Sequence, residues 1–209
     1  VPYIDTLGEK YYMFDLYIKF YSCCRWAHSP ICAISDLMKE YGFTSDEVEK
    51  VDVYTFGNAG TLYRNAPTCE DEAQYNIIYP LAAQLIFGDC SPLESSTTKM
   101  LDPRVKPMVE RIEFHQYPEY DKVFPGKRLS HVQITLNDGR VLKSSPYEPK
   151  GDHNADVTIQ DLVEKAHKIN ELYAPTEMVD EFVYAVLNTD PSEPFAKVLE
   201  PIKKLAATN

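Results

Sequence analysis

Ile31, Ile34, Leu37, Met38 and Tyr41 recur at helical spacing, which predicts a helix over 30–41. Ser29 is placed to cap it, and Pro30 suits the first helical position, where a missing N–H costs nothing. Gly42 offers the stop. Thr44 to Glu47 reads as a capping box opening a short turn. Val51, Val53 and Thr55 alternate with Asp52, Tyr54 and Phe56, the pattern of a strand, and Gly57 to Gly60 ends it. Ala73, Ile77, Leu81 and Leu85 form one apolar stripe, so a long helix is expected over 68–88. Thr68 with Asp71 would start it and Gly88 would end it, with a kink or break near Tyr79 because Pro80 falls inside.

A loop is expected over 89–100, then a helix from Asp102-Pro103 that contains Val105, Met108 and Val109. Residues 110–117 read as a strand. Ser130 to Leu136 alternates cleanly, and Asn137-Asp138-Gly139 predicts a hairpin with a return strand from Arg140. About four strands with flanking helices give an α+β domain. The polar, proline-bearing stretch 144–157 reads as an exit loop. Three helices follow, from Thr158 with Asp161, from Thr176 and after Ser192; the last carries Phe195, Val198, Leu199, Ile202 and Leu205. Helices this short are weak alone and call for a larger helical body to pack on. The expected layout is a lead-in over 1–19, a compact α+β domain over 20–150 and a helical segment over 151–209. The lead-in is rich in aromatics (Tyr3, Tyr11, Tyr12, Phe14, Tyr17), and such a run is expected to be covered by another domain or subunit.

Composition narrows the function. The 209 residues carry a net charge of −11, which argues against a nucleic-acid partner but leaves small anions open. No run approaches the roughly 20 apolar residues of a membrane span. The start has neither a signal-peptide pattern nor an initiator Met, so processing or a longer parent chain is expected. Five cysteines without framework spacing read as free thiols in a reducing, cytoplasmic compartment. No dinucleotide fingerprint or P-loop occurs. Cys23, Cys24 and His28 lack the spacing of a metal site, and His115, His131, His153 and His167 are scattered. Neither a metal nor a cofactor is expected.

The stretch Lys19-Phe-Tyr-Ser-Cys-Cys-Arg-Trp-Ala-His28 gathers most of the candidate chemistry and ends on a helix N-terminus, which favours an anion. Lys19 and Arg25 offer cations for carboxylates, Arg25 in a bidentate manner. His28 offers an acid or base, and Cys24 a pocket wall. Each has an ordinary alternative: a surface lysine, an arginine salt bridge, a packed histidine, a buried thiol. A Cys24–His28 nucleophile pair would require the two side chains to meet.

This stretch resembles the segment Lys-x-Tyr-Pro-Cys-Cys-x-x-x-His-x-x-Ile-Asp-Ala of the MmgE/PrpD family. Three further marks follow in order: Val48-Glu-Lys-Val-Asp-Val, Asp71-Glu-Ala-Gln-Tyr-Asn-Ile-Ile-Tyr79-Pro-Leu-Ala-Ala, and Gly151-Asp-His-Asn. The resemblance implies the lid domain and returning helices of a cofactor-independent lyase whose active site lies between the lid and a larger all-helical domain. It implies a homo-oligomer, a small di- or tricarboxylate substrate and a helical half supplied by the rest of the protein or by a separate chain. It gives Lys19 a place facing a substrate carboxylate, and His28 and Tyr79 places in the catalytic pocket. Decarboxylase-like members carry histidine at the position of Cys24, whereas many dehydratase-like members carry cysteine. The reading that follows is part of a 2-methylcitrate dehydratase-like enzyme of propionate metabolism. The alternatives are a non-catalytic binding subunit, an epimerase and a cis-aconitate decarboxylase. Ser22 departs from the usual proline of the motif, and Pro80 follows the tyrosine.

Overall fold

The computed structural model describes residues 4–152, 155, 157–170, 173–190 and 192–207. Tyr3 of the aromatic lead-in, His153 and Asn154 of the Gly151 motif, and the Leu205 side chain lie outside the described set. The chain divides into two compact units, 1–156 and 157–209.

The first unit is α+β. Its strands are β1 (Val48–Thr55), β2 (Ile112–Gln116), β3 (Ser130–Leu136) and β4 (Val141–Lys143). They form one mixed sheet in the order β2-β1-β3-β4, with β2 parallel and β3 antiparallel to β1. Its helices are α1 (His28–Tyr41), α2 (Glu70–Gln74), α3 (Tyr79–Phe87), α4 (Thr97–Met100), α5 (Val105–Val109) and α6 (Pro118–Asp121). The period-2 alternation sends Val51, Val53, Val132, Ile134 and Leu136 to one face, where they join Ile31, Ile34, Leu81 and Leu85 in the core. Asn137 to Arg140 closes the predicted hairpin, with Gly139 at φ 85°, a region that glycine tolerates without a Cβ penalty.

Helix starts depart from expectation more than strands do. α1 begins at His28 after a 3₁₀ turn over Arg25–Ala27, with no side-chain cap; the Ser29 hydroxyl instead donates to the Arg128 carbonyl at 2.7 Å. Its C-terminal glycine, Gly42, adopts φ 66° as expected. The single helix expected over 68–88 is two. Asn76 Oδ1 accepts the backbone N–H groups of Ile78 and Tyr79, both at 2.8 Å, and so opens a new N-terminus. Pro80 therefore occupies the first turn of α3, where it costs no hydrogen bond. Thr68 bonds Glu72 rather than Asp71. A short helix, α4, stands within the expected loop 89–100.

Over its described residues the lead-in is irregular apart from a 3₁₀ turn at Tyr12–Asp15, and Leu7, Phe14 and Leu16 are exposed. The second unit holds α7 (Ile159–Asn170), α8 (Thr176–Leu187) and α9 (Ala196–Ala206). The Thr158–Asp161 start forms as read, with the Thr158 N–H and hydroxyl both 2.8 Å from the Asp161 carboxylate. Thr176 is the first helical residue of α8. His167 and Asp180 approach to 3.0 Å between α7 and α8. Among the described residues of this unit, Val179, Val198 and Pro201 are buried, while Ile159, Tyr184, Leu187 and Phe195 are exposed. No described helix is long and apolar enough to cross a membrane.

Candidate active site

The Lys19–His28 segment is held by backbone bonds to distant parts of the first unit. The Ser22 N–H donates to the Cys90 carbonyl at 2.8 Å, and the Cys24 N–H donates to the Gln74 carbonyl at 2.7 Å. The Ser95 hydroxyl donates back to the Ser22 carbonyl at 3.2 Å. These contacts tie the segment to the end of α2 and to the link between α3 and α4, and they deliver the chain into the turn that starts α1.

His28, the first residue of α1, is 1% exposed. Its ring meets Tyr21 edge to face at 5.2 Å, and neither ring nitrogen has a hydrogen-bond partner. Burial, reinforced by the Arg25 guanidinium and the Lys19 ammonium, lowers its pKa from 6.5 to about 3. The backbone carbonyls of Cys23 and Tyr21 pull the other way, Cys23 more than Lys19 pushes, though neither meets full hydrogen-bond geometry. The imidazole is therefore neutral at physiological pH, with one lone pair and one N–H available. Because both nitrogens lack a partner, no Cys24–His28 nucleophile pair is formed.

Lys19 has an exposed side chain and no ion-pair partner among the described residues, yet its charge acts on both His28 and the buried Cys23 thiol. Burial pushes the Cys23 thiol up, and its hydrogen bond with Cys90 adds to that. Tyr79 is fully buried at the start of α3, and its hydroxyl donates to the Glu94 carbonyl. Burial raises the Tyr79 pKa, and Cys90 beside it adds to the effect. The Lys19 charge thus acts on both Cys23 and His28, and the Cys90 thiol, which bonds Cys23, also acts on Tyr79. Cys24 is half-buried beside Cys23.

Arg25 departs from the expected substrate clamp. It is 3% exposed, and Nη2 donates to the Pro149 carbonyl at 2.9 Å and lies 3.1 Å from Asp152. Nη1 donates to the Lys150 carbonyl. Its charge is already answered by protein groups, as burial of a guanidinium requires.

A second polar cluster escaped the sequence reading. On the sheet face opposite the core, Asp52, Glu113 and His115 bring three potential ligand atoms within 4.8 Å of one another. His115 Nε2 lies 2.6 Å from Asp52, and the Lys50 ammonium lies 3.0 Å from Asp52 and 2.9 Å from Glu113. Burial pushes the Asp52 carboxyl up, but the hydrogen bonds from Lys50 and His115 outweigh it and hold the group below the usual range. Lys50 supplies the cation that these acids need. The signal lay in the parallel pairing of Asp52 with Glu113, a register that periodicity does not reveal. Two open cavities, of about 650 and 850 Å³, flank Arg64, Asn65 and Ile112; neither is lined by Lys19, Cys24, Arg25, His28 or Tyr79.

The profile of the MmgE/PrpD C-terminal domain matches residues 21–189, most of the chain. The chain belongs to the MmgE/PrpD family. Among curated proteins it is similar to a cis-aconitate decarboxylase of Aspergillus terreus, 26% identical over 159 residues. A second protein of that name, from Aspergillus terreus strain NIH 2624 / FGSC A1156, is 24% identical over 159 residues. Each match covers 71% of this chain and 32% of the relative, so the chain spans about a third of the length of the curated relatives it matches. The MmgE/PrpD match includes the segment from Tyr21 through His28, α1 and Tyr79, and begins just after Lys19.

Proposed function

We propose that this chain is the lid portion of a cofactor-independent lyase that acts on a small di- or tricarboxylate, with a 2-methylcitrate dehydratase-like reaction as the leading reading. The observation that carries the proposal is that the charge of Lys19, an exposed cation without an ion-pair partner among the described residues, acts on His28, a buried imidazole held neutral. Eliminating water from a hydroxy-tricarboxylate requires a base for the C–H next to a carboxylate, an acid for the departing hydroxyl and a cation for the charge that develops between them. In this reading Lys19 holds a substrate carboxylate, and neutral His28 exchanges a proton through a free ring nitrogen. Tyr79 keeps its proton because burial raises its pKa, and it is the candidate acid. Acting as one would require its hydroxyl to exchange the Glu94 carbonyl for the substrate oxygen. Cys24 lines the pocket.

The second reading is decarboxylation, favoured by the name of the two curated relatives. The family pattern at Cys24 weighs against it. Incubation of the intact protein with 2-methylcitrate and with cis-aconitate in parallel, followed by proton NMR, separates the two. Loss of water from methylcitrate, read as collapse of its methyl doublet to a singlet, supports the dehydratase reading. Carbon dioxide release from cis-aconitate supports the decarboxylase reading, and inertness toward every small polycarboxylate leaves a binding subunit.

A further inference from the structure

The backbone that carries Lys19 is fastened from behind by a loop far away in sequence. The Ile18 N–H donates to the Gly151 carbonyl at 2.8 Å. On the other side of Lys19, the Lys150 ammonium sits over the Phe20 ring, 5.4 Å from its centroid. Arg25 closes the arrangement: its fork takes the successive carbonyls of Pro149 and Lys150, it pairs with Asp152, and its guanidinium lies over the Tyr17 ring at 5.0 Å. The approach is too close for any side chain at residue 151. Gly151 adopts φ +104°, and a Cβ there would fall 2.1 Å from the Ile18 carbonyl oxygen. Residues 17–20 and 149–152 are therefore joined along their length, and Lys19 stands between two joined neighbours with its own side chain exposed.

We propose that Arg25 is a positioning residue: by binding the 149–152 loop it fixes the backbone on both sides of Lys19 and so sets the Lys19 ammonium relative to the His28 ring. The chemistry requires arginine, because a planar fork can reach two carbonyls and a carboxylate together, which a lysine ammonium cannot do from the same stem. The inference rests on the reading of Lys19 and His28 as one carboxylate site.

The test compares the intact wild-type protein with Arg25→Lys, Asp152→Asn and Gly151→Ala. Two readouts are taken: amide hydrogen exchange at Ile18, and KM and kcat on the polycarboxylate that the wild type converts. The expected result is at least tenfold faster exchange at Ile18 in every variant. KM is expected to rise at least fivefold, with a smaller change in kcat, and Arg25→Lys should not rescue it despite keeping the charge. Should Arg25→Lys fail to fold, Asp152→Asn and Gly151→Ala decide the matter, since both leave Arg25 in place. Unchanged exchange at Ile18 overturns the clasp. Faster exchange with an unchanged KM overturns the positioning role. A wild type that converts no polycarboxylate removes the carboxylate site and the positioning role together, and a clasp seen by exchange then shows that the site reading, not the clasp, failed.

Discussion

Acid should destabilise the first unit through one side chain. His28 is buried with no full hydrogen bond to either ring nitrogen, so protonating it places a charge out of water and near the Arg25 guanidinium. Its pKa falls from 6.5 to about 3 on folding. A histidine depressed in this way contributes full stability above pH 6.5, and that stability is lost as the pH falls from 6.5 toward 3. At about 1.4 kcal/mol per pKa unit, the whole shift corresponds to about 5 kcal/mol, and about 2 kcal/mol of it is already lost at pH 5. Urea unfolding of wild type and His28→Leu at pH 7 and pH 5 isolates this contribution, because other carboxylates and histidines titrate alike in both proteins. The wild type should lose about 2 kcal/mol more than the variant between the two pH values. Because leucine removes two unsatisfied nitrogens, the variant should unfold at a urea midpoint close to the wild-type value at pH 7. Parallel pH dependence in the two proteins would refute the claim that His28 is buried neutral.

Three further outcomes follow from named contacts. Tyr79→Phe leaves the buried Glu94 carbonyl without its donor and should cost about 1–3 kcal/mol in urea unfolding; a loss of turnover beyond tenfold at a temperature where the variant remains folded would add a catalytic part to the packing part. Asn76→Ala removes the acceptor for two N–H groups at the start of α3 and should cost about 1–2 kcal/mol, read by the same melts. Gly60→Ala places a Cβ 2.9 Å from the Phe114 ring and should lower stability by about 1–3 kcal/mol through overpacking, with no change in substrate KM.

The strands were the most legible part of the sequence. The alternation of Val132, Ile134 and Leu136 and the Asn137-Asp138-Gly139 turn determine one another, because a one-residue slip would move the whole apolar set to the wrong face. The stripe of Ala73, Ile77, Leu81 and Leu85 misled because helical spacing persists across a break. Asn76, a side chain folding back on the backbone two and three residues later, made that break, and Pro80 marks a start rather than a kink. Within the site, the residue types were readable and their commitments were not. Arg25 reads as an anion clamp until its partners are seen at Pro149, Lys150 and Asp152, and no local pattern announces contacts across that separation. The cluster of Asp52, Glu113 and His115 was hidden for the same reason: it exists only once β2 lies beside β1.

The central claim is that Lys19 and His28 form one receptor for a small polycarboxylate. Calorimetric titration of the intact protein with tricarballylate, a tricarboxylate with no hydroxyl to eliminate, tests it without turnover. The account predicts saturable binding that weakens at least tenfold in Lys19→Ala and also falls in His28→Leu. Binding of equal strength in all three proteins, or none in the wild type, would contradict it.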